Sequence, residues 1–208
     1  MKKIILVFLI SFVIYSCSKS ETTPPVVNKV TADDSMRLGL IKIGQQYQGG
    51  IVAYFLQTGD PGYDANKKHG LIAASTDQSA GIRWNKNDDF LITGAHGIEL
   101  GTGLTNTEQI IAKQGDLSTS YAAGLARAYT GGGYKDWFLP SKDELNILFL
   151  NRVAVGGFAQ PNPAFAIGYW SSTEHNKYFN VWFQDFNSGN QPTSNKSRTF
   201  YVRAIRAF

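Results

Sequence analysis

Cysteine is nearly absent from this chain. Cys17 is the only one in 208 residues, so no disulfide, cysteine zinc site or thiol nucleophile can form in the segment beyond it. Long apolar runs are missing too. The one near the start, Ile4–Tyr15, spans twelve residues, short of the roughly 20 that a membrane-spanning helix needs. Neither sign of charge is in large excess. The 20 basic residues face 16 acidic ones, and the net of +4 falls to +2 without Lys2 and Lys3, too little to imply nucleic-acid binding. The three histidines, His69, His96 and His175, lie far apart and outside any H-x-x-x-H spacing, so neither a metal site nor a cofactor is expected. Without covalent or metal staples, stability must come from a packed core. A 43% hydrophobic composition with 4 Trp, 10 Tyr and 13 Phe permits one.

What the chain does have begins with an address. Lys2 and Lys3 followed by Ile4–Tyr15 have the layout of a secretory signal, a charged start and then an apolar segment. The segment ends in Ile14-Tyr15-Ser16-Cys17, which resembles a bacterial lipobox, with Tyr15 standing where a small residue is usual. The resemblance implies cleavage before Cys17 and lipidation of its thiol and new amine. Residues 1–16 are then a lipoprotein signal peptide, and the protein is held to a membrane of the cell envelope, the outer membrane and its exposed surface being the expected location. An ordinary secretory signal with an incidental Cys17 is the alternative. Residues 17–42 are rich in Ser, Thr, Pro, Asp and Lys, contain Pro24-Pro25, and read as a flexible tether. Residues 43–208 suffice for one domain.

Within that domain, Ile51–Leu56 is an apolar, β-prone run that reads as a buried strand, and Leu71–Ala74 is a second. Asp60-Pro61-Gly62 is turn chemistry between them. Residues 75–104 form a glycine-punctuated loop around Trp84, expected to wrap the core or to contribute a binding site. Thr105 is placed to cap a short helix that runs through Gln114. A longer helix is expected over Ser118–Thr130, with Ala122, Leu125, Ala126 and Tyr129 on one face. Gly131–Gly133 end it. Tyr134, Trp137, Phe138 and Leu139 then cross the core as a short extended run that Pro140 stops. Ser141 opens another helix, and Glu144, three residues on, completes a capping box in which each side chain satisfies a first-turn backbone N–H. On that reading Glu144→Gln costs only about a few tenths of a kcal/mol. Tyr169–Thr173, Asn180–Phe186 and Thr199–Phe208 read as three closing strands.

The order strand, strand, loop, helices, three strands resembles the C-type-lectin-like fold. That fold is an α+β arrangement of two main helices and a small, mostly antiparallel sheet whose first and last strands pair. Three motifs narrow the resemblance: Tyr134–Ser141 with Glu144-Leu145, then Tyr169-Trp170-Ser171-Ser172-Thr173, then Val202-Arg203-Ala204-Ile205-Arg206. In this order they are similar to the Lcl C-terminal-domain family, over about residues 44–208. The resemblance implies a C-type-lectin-like domain on an exported protein and no established enzymatic activity. In one adhesin group of the family it implies binding to sulfated glycosaminoglycans. The calcium-ligating pattern of true C-type lectins is not reproduced. Gln191-Pro192-Thr193 keeps only Gln-Pro, and Val181-Trp182-Phe183 lacks the Asn-Asp pair, so hard oxygen ligands are missing.

Catalytic signals are weak throughout. Ser141, Ser171 and Ser172 have no G-x-S-x-G elbow, and Gly101-Thr102-Gly103 lacks the lysine of a phosphate loop. Asp136 and Glu144 would suit a glycosidase pair, but Glu144 is better used as the cap. Asp136, Trp137, Pro140, Ser141, Glu144, Trp170 and Arg203 are therefore read as structural motif residues. Arg203 and Arg206, three apart in a strand, point to opposite faces. Arg203 is expected to face inward and to pair with Asp136. From His175 onward five basic residues face a single acid, Asp185. Lys177, Tyr178, Phe179, Trp182, Lys196 and Arg198 are the candidate ligand-binding residues there, suited to an anionic glycan. The expected function is a non-catalytic binding or adhesion module for a glycan or a protein partner. A structural subunit of a surface appendage is the first alternative. An enzyme on the scaffold of formylglycine-generating enzymes is the other, although that chemistry uses cysteines absent here.

Overall fold

The computed structural model describes residues 35, 39–87, 91–115, 119–162, 164, 166–175 and 179–208. Residues 1–34, which hold Cys17, the segment read as a signal and most of the segment read as a tether, lie outside the described residues, as do Lys177 and Tyr178. Among those described, the chain is α+β, with four helices and two sheets. The first sheet contains β1 (Gln46–Tyr47), β2 (Gly50–Phe55), β3 (Gly70–Ala73) and β9 (Ile205–Ala207), side by side in that order and antiparallel throughout. The second runs β4 (Ser79–Arg83), β8 (Thr199–Val202), β5 (Gly168–Glu174), β6 (Asn180–Asp185), β7 (Thr193–Asn195). Only its β5–β8 contact is parallel. The helices are α1 (Gly103–Gln114), α2 (Ala122–Ala128), α3 (Lys142–Leu150) and α4 (Arg152–Val155).

Residues that alternate along the extended segment before α3 divide the core. Trp137 joins Trp84, Trp170, Ile110 and Tyr121 in one buried cluster. Its neighbour Phe138 joins Leu145, Leu148, Tyr169 and Phe186 in a second. Strand β5 is buried along its whole length, with α1 and α3 packed on it and β8 and β6 at its sides. Its polar residues are satisfied. The Ser171 hydroxyl donates to the Trp182 carbonyl at 2.7 Å, the Thr173 hydroxyl donates to the Gly97 carbonyl at 2.8 Å, and the Ser172 N–H reaches the Pro140 carbonyl at 2.7 Å. Buried polar groups persist in a core only when paired in this way.

The helix before α3 is shorter than expected. α2 starts at Ala122 and ends at Ala128, because Tyr121 and Tyr129 both adopt extended backbone. α1 starts earlier than Thr105, at Gly103, behind Thr102, whose hydroxyl donates to the Glu99 carbonyl and caps nothing. Thr105 itself lies inside the helix, as does Thr107, whose hydroxyl receives the Leu139 N–H at 3.1 Å. Residues 134–139 are not a strand. Only Phe138 pairs, exchanging both backbone hydrogen bonds with Ile205. Among the described residues there are four α-helices in place of two main ones.

The C-terminal run departs most from expectation. Thr199–Phe208 is not one strand. It is split at Arg203-Ala204 into β8 and β9, which belong to different sheets. The crossing is held by the Ala204 carbonyl, which accepts the Ala74 N–H at 2.9 Å, and by the Ala204 N–H, which donates to the Gln78 side chain. The last strand therefore pairs with β3 and not with the first apolar run, 51–56.

Candidate functional site

The capping box at the head of α3 is present in full. Ser141 Oγ accepts the Glu144 N–H at 3.3 Å, and the Glu144 carboxylate accepts the Ser141 N–H at 2.7 Å. Glu144 does more than the sequence suggested. Its other oxygen accepts the Gly101 N–H at 2.9 Å, and the side chain is fully buried. The carboxylate thus joins the loop before α1 to the first turn of α3. Burial pushes its pKa up to about 6, and the N–H groups of Ser141, Gly101 and Gly103 pull the other way. Only glycine fits at 103, since a Cβ there would collide with the Glu144 carboxylate. With both oxygens sealed in, Glu144 offers no proton to a substrate, and a glycosidase pair with Asp136 is ruled out.

Asp136 does not meet Arg203. Arg203 is fully buried. Its Nε donates to Asp77 at 2.7 Å, and its terminal nitrogens donate to the carbonyls of Ala74, Gly156 and Gly157. The second Asp77 oxygen accepts the Tyr169 hydroxyl at 2.7 Å. Burial raises the Asp77 pKa even though the guanidinium beside it lowers it, and burial raises that of Tyr169 as well. Asp136 belongs to Arg206, which donates to its two oxygens at 2.8 Å each and holds its carboxyl below the ordinary range. The expected pairing failed because it assumed one continuous strand. At the crossing, Arg203 enters the space between the 75–78 and 156–157 backbones, and Arg206 is left facing Asp136.

Of the basic and aromatic residues proposed around the β6–β7 hairpin, the structure buries Lys196 and leaves Phe179, Trp182 and Arg198 fully or partly exposed. Lys196 is fully buried and ion-paired with Glu174. It also donates to the Leu91 carbonyl at 2.7 Å and lies 4.9 Å from the Trp84 ring centre. It is a structural cation and not a ligand contact, which corrects its assignment. Glu174 also accepts the N–H groups of Thr93 and Gly94 and the Thr93 hydroxyl. Trp182 is half-buried, with the Lys142 ammonium 4.5 Å from its ring centre and His175 edge-on at 5.3 Å. Phe179 and Arg198 are exposed. Trp170 is core, with its indole N–H on the Ile82 carbonyl at 2.8 Å.

A cleft of about 990 Å³ opens elsewhere, against the first sheet. Tyr47, Phe55 and Phe208 form its aromatic base, Phe208 meeting the other two edge-to-face at 5.4 and 6.0 Å. The 56–69 loop is its wall. That loop is fixed by the Asp60 carboxylate, which accepts the Tyr54 hydroxyl at 2.8 Å and the Gln57 N–H at 2.6 Å, and by the Leu56 N–H on the His69 carbonyl. Gln48, also lining the cleft, has a φ of 43°, the one left-handed non-glycine among the described residues. Its Oε1 accepts from Arg206 at 2.6 Å and its Nε2 donates to the Tyr47 hydroxyl at 3.1 Å, so the Asp136–Arg206 pair anchors it from below. Sequence reading missed the cleft because its residues are dispersed over a turn-rich loop. The Asp60-Pro61-Gly62 turn and the Lys67-Lys68-His69 run were its only signals. Among the described residues no group of three His, Cys, Asp or Glu side chains converges as a metal site, and no peptide bond is cis, Gln191-Pro192 included.

Residues 73–206 match the model of the Lcl C-terminal domain. The chain belongs to that family. The Lcl match contains all three sequence motifs and both buried arginines, so the capping box, the Asp77–Arg203 network and the Asp136–Arg206 pair lie in the shared part of the domain. The cleft does not. Apart from Arg206 beneath it, its residues fall at 47–69 and 208, outside the matched segment. The Lcl C-terminal domain is not a known enzyme family. No curated protein matches the chain.

Proposed function

We propose that this chain is a lipid-anchored cell-envelope protein whose C-type-lectin-like domain binds a glycan or a surface protein without catalysis. The observation that carries the reading is membership of the Lcl C-terminal-domain family, together with two buried acids, Glu144 and Glu174, that serve as structural clips. Glu144, Glu174 and Asp77 all hold backbone or arginine in place, and none lines the cleft. The half-buried Trp182 beside Lys142, with Phe179 and Arg198 exposed at the same hairpin, suits contact with a sugar ring or an acidic group.

The intact chain in detergent, applied to a glycan array, is expected to select a subset of saccharides, and Trp182→Ala or Arg198→Ala to weaken that selection. An array without selective binding, alongside co-purification of an envelope protein, would move the ligand from glycan to protein. Labelled palmitate is expected to enter the wild type and not Cys17→Ala. Equal labelling of both would remove the anchor.

A further inference from the structure

We propose that the cleft between the 56–69 loop and the Tyr47–Phe55–Phe208 base is a second binding site, and that it takes a saccharide bearing an acidic substituent. This rests on the binding-module reading for the ligand class and goes beyond it in place, because the cleft lies outside the family-matched residues.

Three independent observations point to it. The first is shape and stiffness. The cleft holds about 990 Å³, and its wall is cross-tied by Asp60 and by backbone bonds, so a ligand would meet a formed surface. The second is chemistry. Tyr63 is 41% exposed and lines the cleft, and an exposed phenol presents a flat apolar face with a polar tip. Asn66 lines the same space with an amide able to meet hydroxyl groups as donor and acceptor, and Gln57, whose Nε2 donates to the Phe55 carbonyl at 2.7 Å, adds its Oε1 as an acceptor. Lys67 and Lys68 are exposed on this wall, with the Lys68 ammonium 5.2 Å from the Phe55 ring centre. His69 lies beside them. The one acid lining the cleft is Asp64, which already accepts the Asn66 N–H at 2.8 Å. Aromatic face, amides and a cationic margin together recognise a sugar ring with an anionic group better than a neutral one.

The third observation is strain. Gln48 occupies left-handed backbone at the cleft, pinned through Arg206 to Asp136. Non-glycine residues held there persist when the surroundings over-determine them, and they concentrate at binding sites. Gln48 spends both ends of its amide on Tyr47 and Arg206, so it acts as a positioning residue that fixes the floor and does not itself meet the ligand.

The test uses the intact chain in detergent, titrated calorimetrically with trigalacturonate and with maltotriose, a neutral probe of the same length. Trigalacturonate is expected to bind more tightly. Tyr63→Ala and the double variant Lys67→Ala/Lys68→Ala, all at exposed positions, are each expected to weaken it by about tenfold, while Lys113→Ala, at an exposed position on α1 outside the cleft, leaves it unchanged. Raising salt is expected to weaken trigalacturonate and leave maltotriose unaffected. Equal binding of the two probes would overturn the acidic ligand class. Binding lost in Arg198→Ala and kept in the cleft variants would overturn the cleft while leaving the binding-module reading intact. No binding of either probe by a protein that still selects other glycans on an array would overturn the proposal in the same way.

Discussion

Glu144 accepts one N–H on each carboxylate oxygen, from Ser141 and from Gly101, and it does so with no exposure to water. A glutamine can offer only one acceptor oxygen, and its amide nitrogen would face the other N–H. Glu144→Gln is therefore expected to cost about 1–3 kcal/mol, several times the cost of a solvated cap. Asp136→Asn should cost less, since the Asp136 side chain is 53% exposed and Arg206 keeps Gln48 and the Tyr134 ring. Urea melts of the two variants check the order. The pH dependence has a definite sign. The folded pKa of Glu144, about 6, lies above its ordinary 4.5, so this group's contribution is fully present below pH 4.5 and is lost as pH rises through 6. The margin of wild type over Glu144→Gln is expected to shrink by about 2 kcal/mol between pH 4.5 and 7. The sequence made the Ser141–Glu144 half of this visible because a capping box is local. The Gly101 half, like the Asp77–Arg203 pair, joins positions distant in the chain, and no spacing rule reports on those.

At the scale of elements, the apolar strands were legible and the polar ones were not. β2, β3 and β6 carry apolar runs, β5 opens on Tyr169-Trp170, and all four fall where the pattern places them. β4 reads Ser-Ala-Gly-Ile-Arg and β7 Thr-Ser-Asn, both sitting at an edge of the second sheet, where little packing demands a sequence signature. The 91–94 segment is held to β5 by an element-level clip. Glu174 at the end of β5 gathers the N–H groups of that segment, and Lys196, just past β7, neutralises it. Lys196→Met leaves a buried carboxylate without its cation and is expected to cost about 3–5 kcal/mol in a urea melt. A solvated lysine, as the charge pattern alone suggests, would cost less than about 0.5 kcal/mol.

For the molecule as a whole, stability rests on two aromatic clusters and buried ion pairs, with no three metal-ligating side chains converging among the described residues. Chelator is expected to leave the melting temperature unchanged. A fall of several degrees that calcium restores would show a site built from residues beyond those described. The α+β class was legible from the element order, and the sheet pairing was not, because the crossing at Arg203-Ala204 looks like uninterrupted strand in one dimension. That crossing ties both sheets to one segment of chain. β8 inserts between β4 and β5, and β9 closes on β3, so both sheets wait for residues 199–207. Without residues 199–207 neither sheet has its full set of strands. Such long-range closure is slow. For a chain exported as proposed here, the delay is an advantage: the domain stays threadable through a translocation pore until its own final strands arrive to latch it.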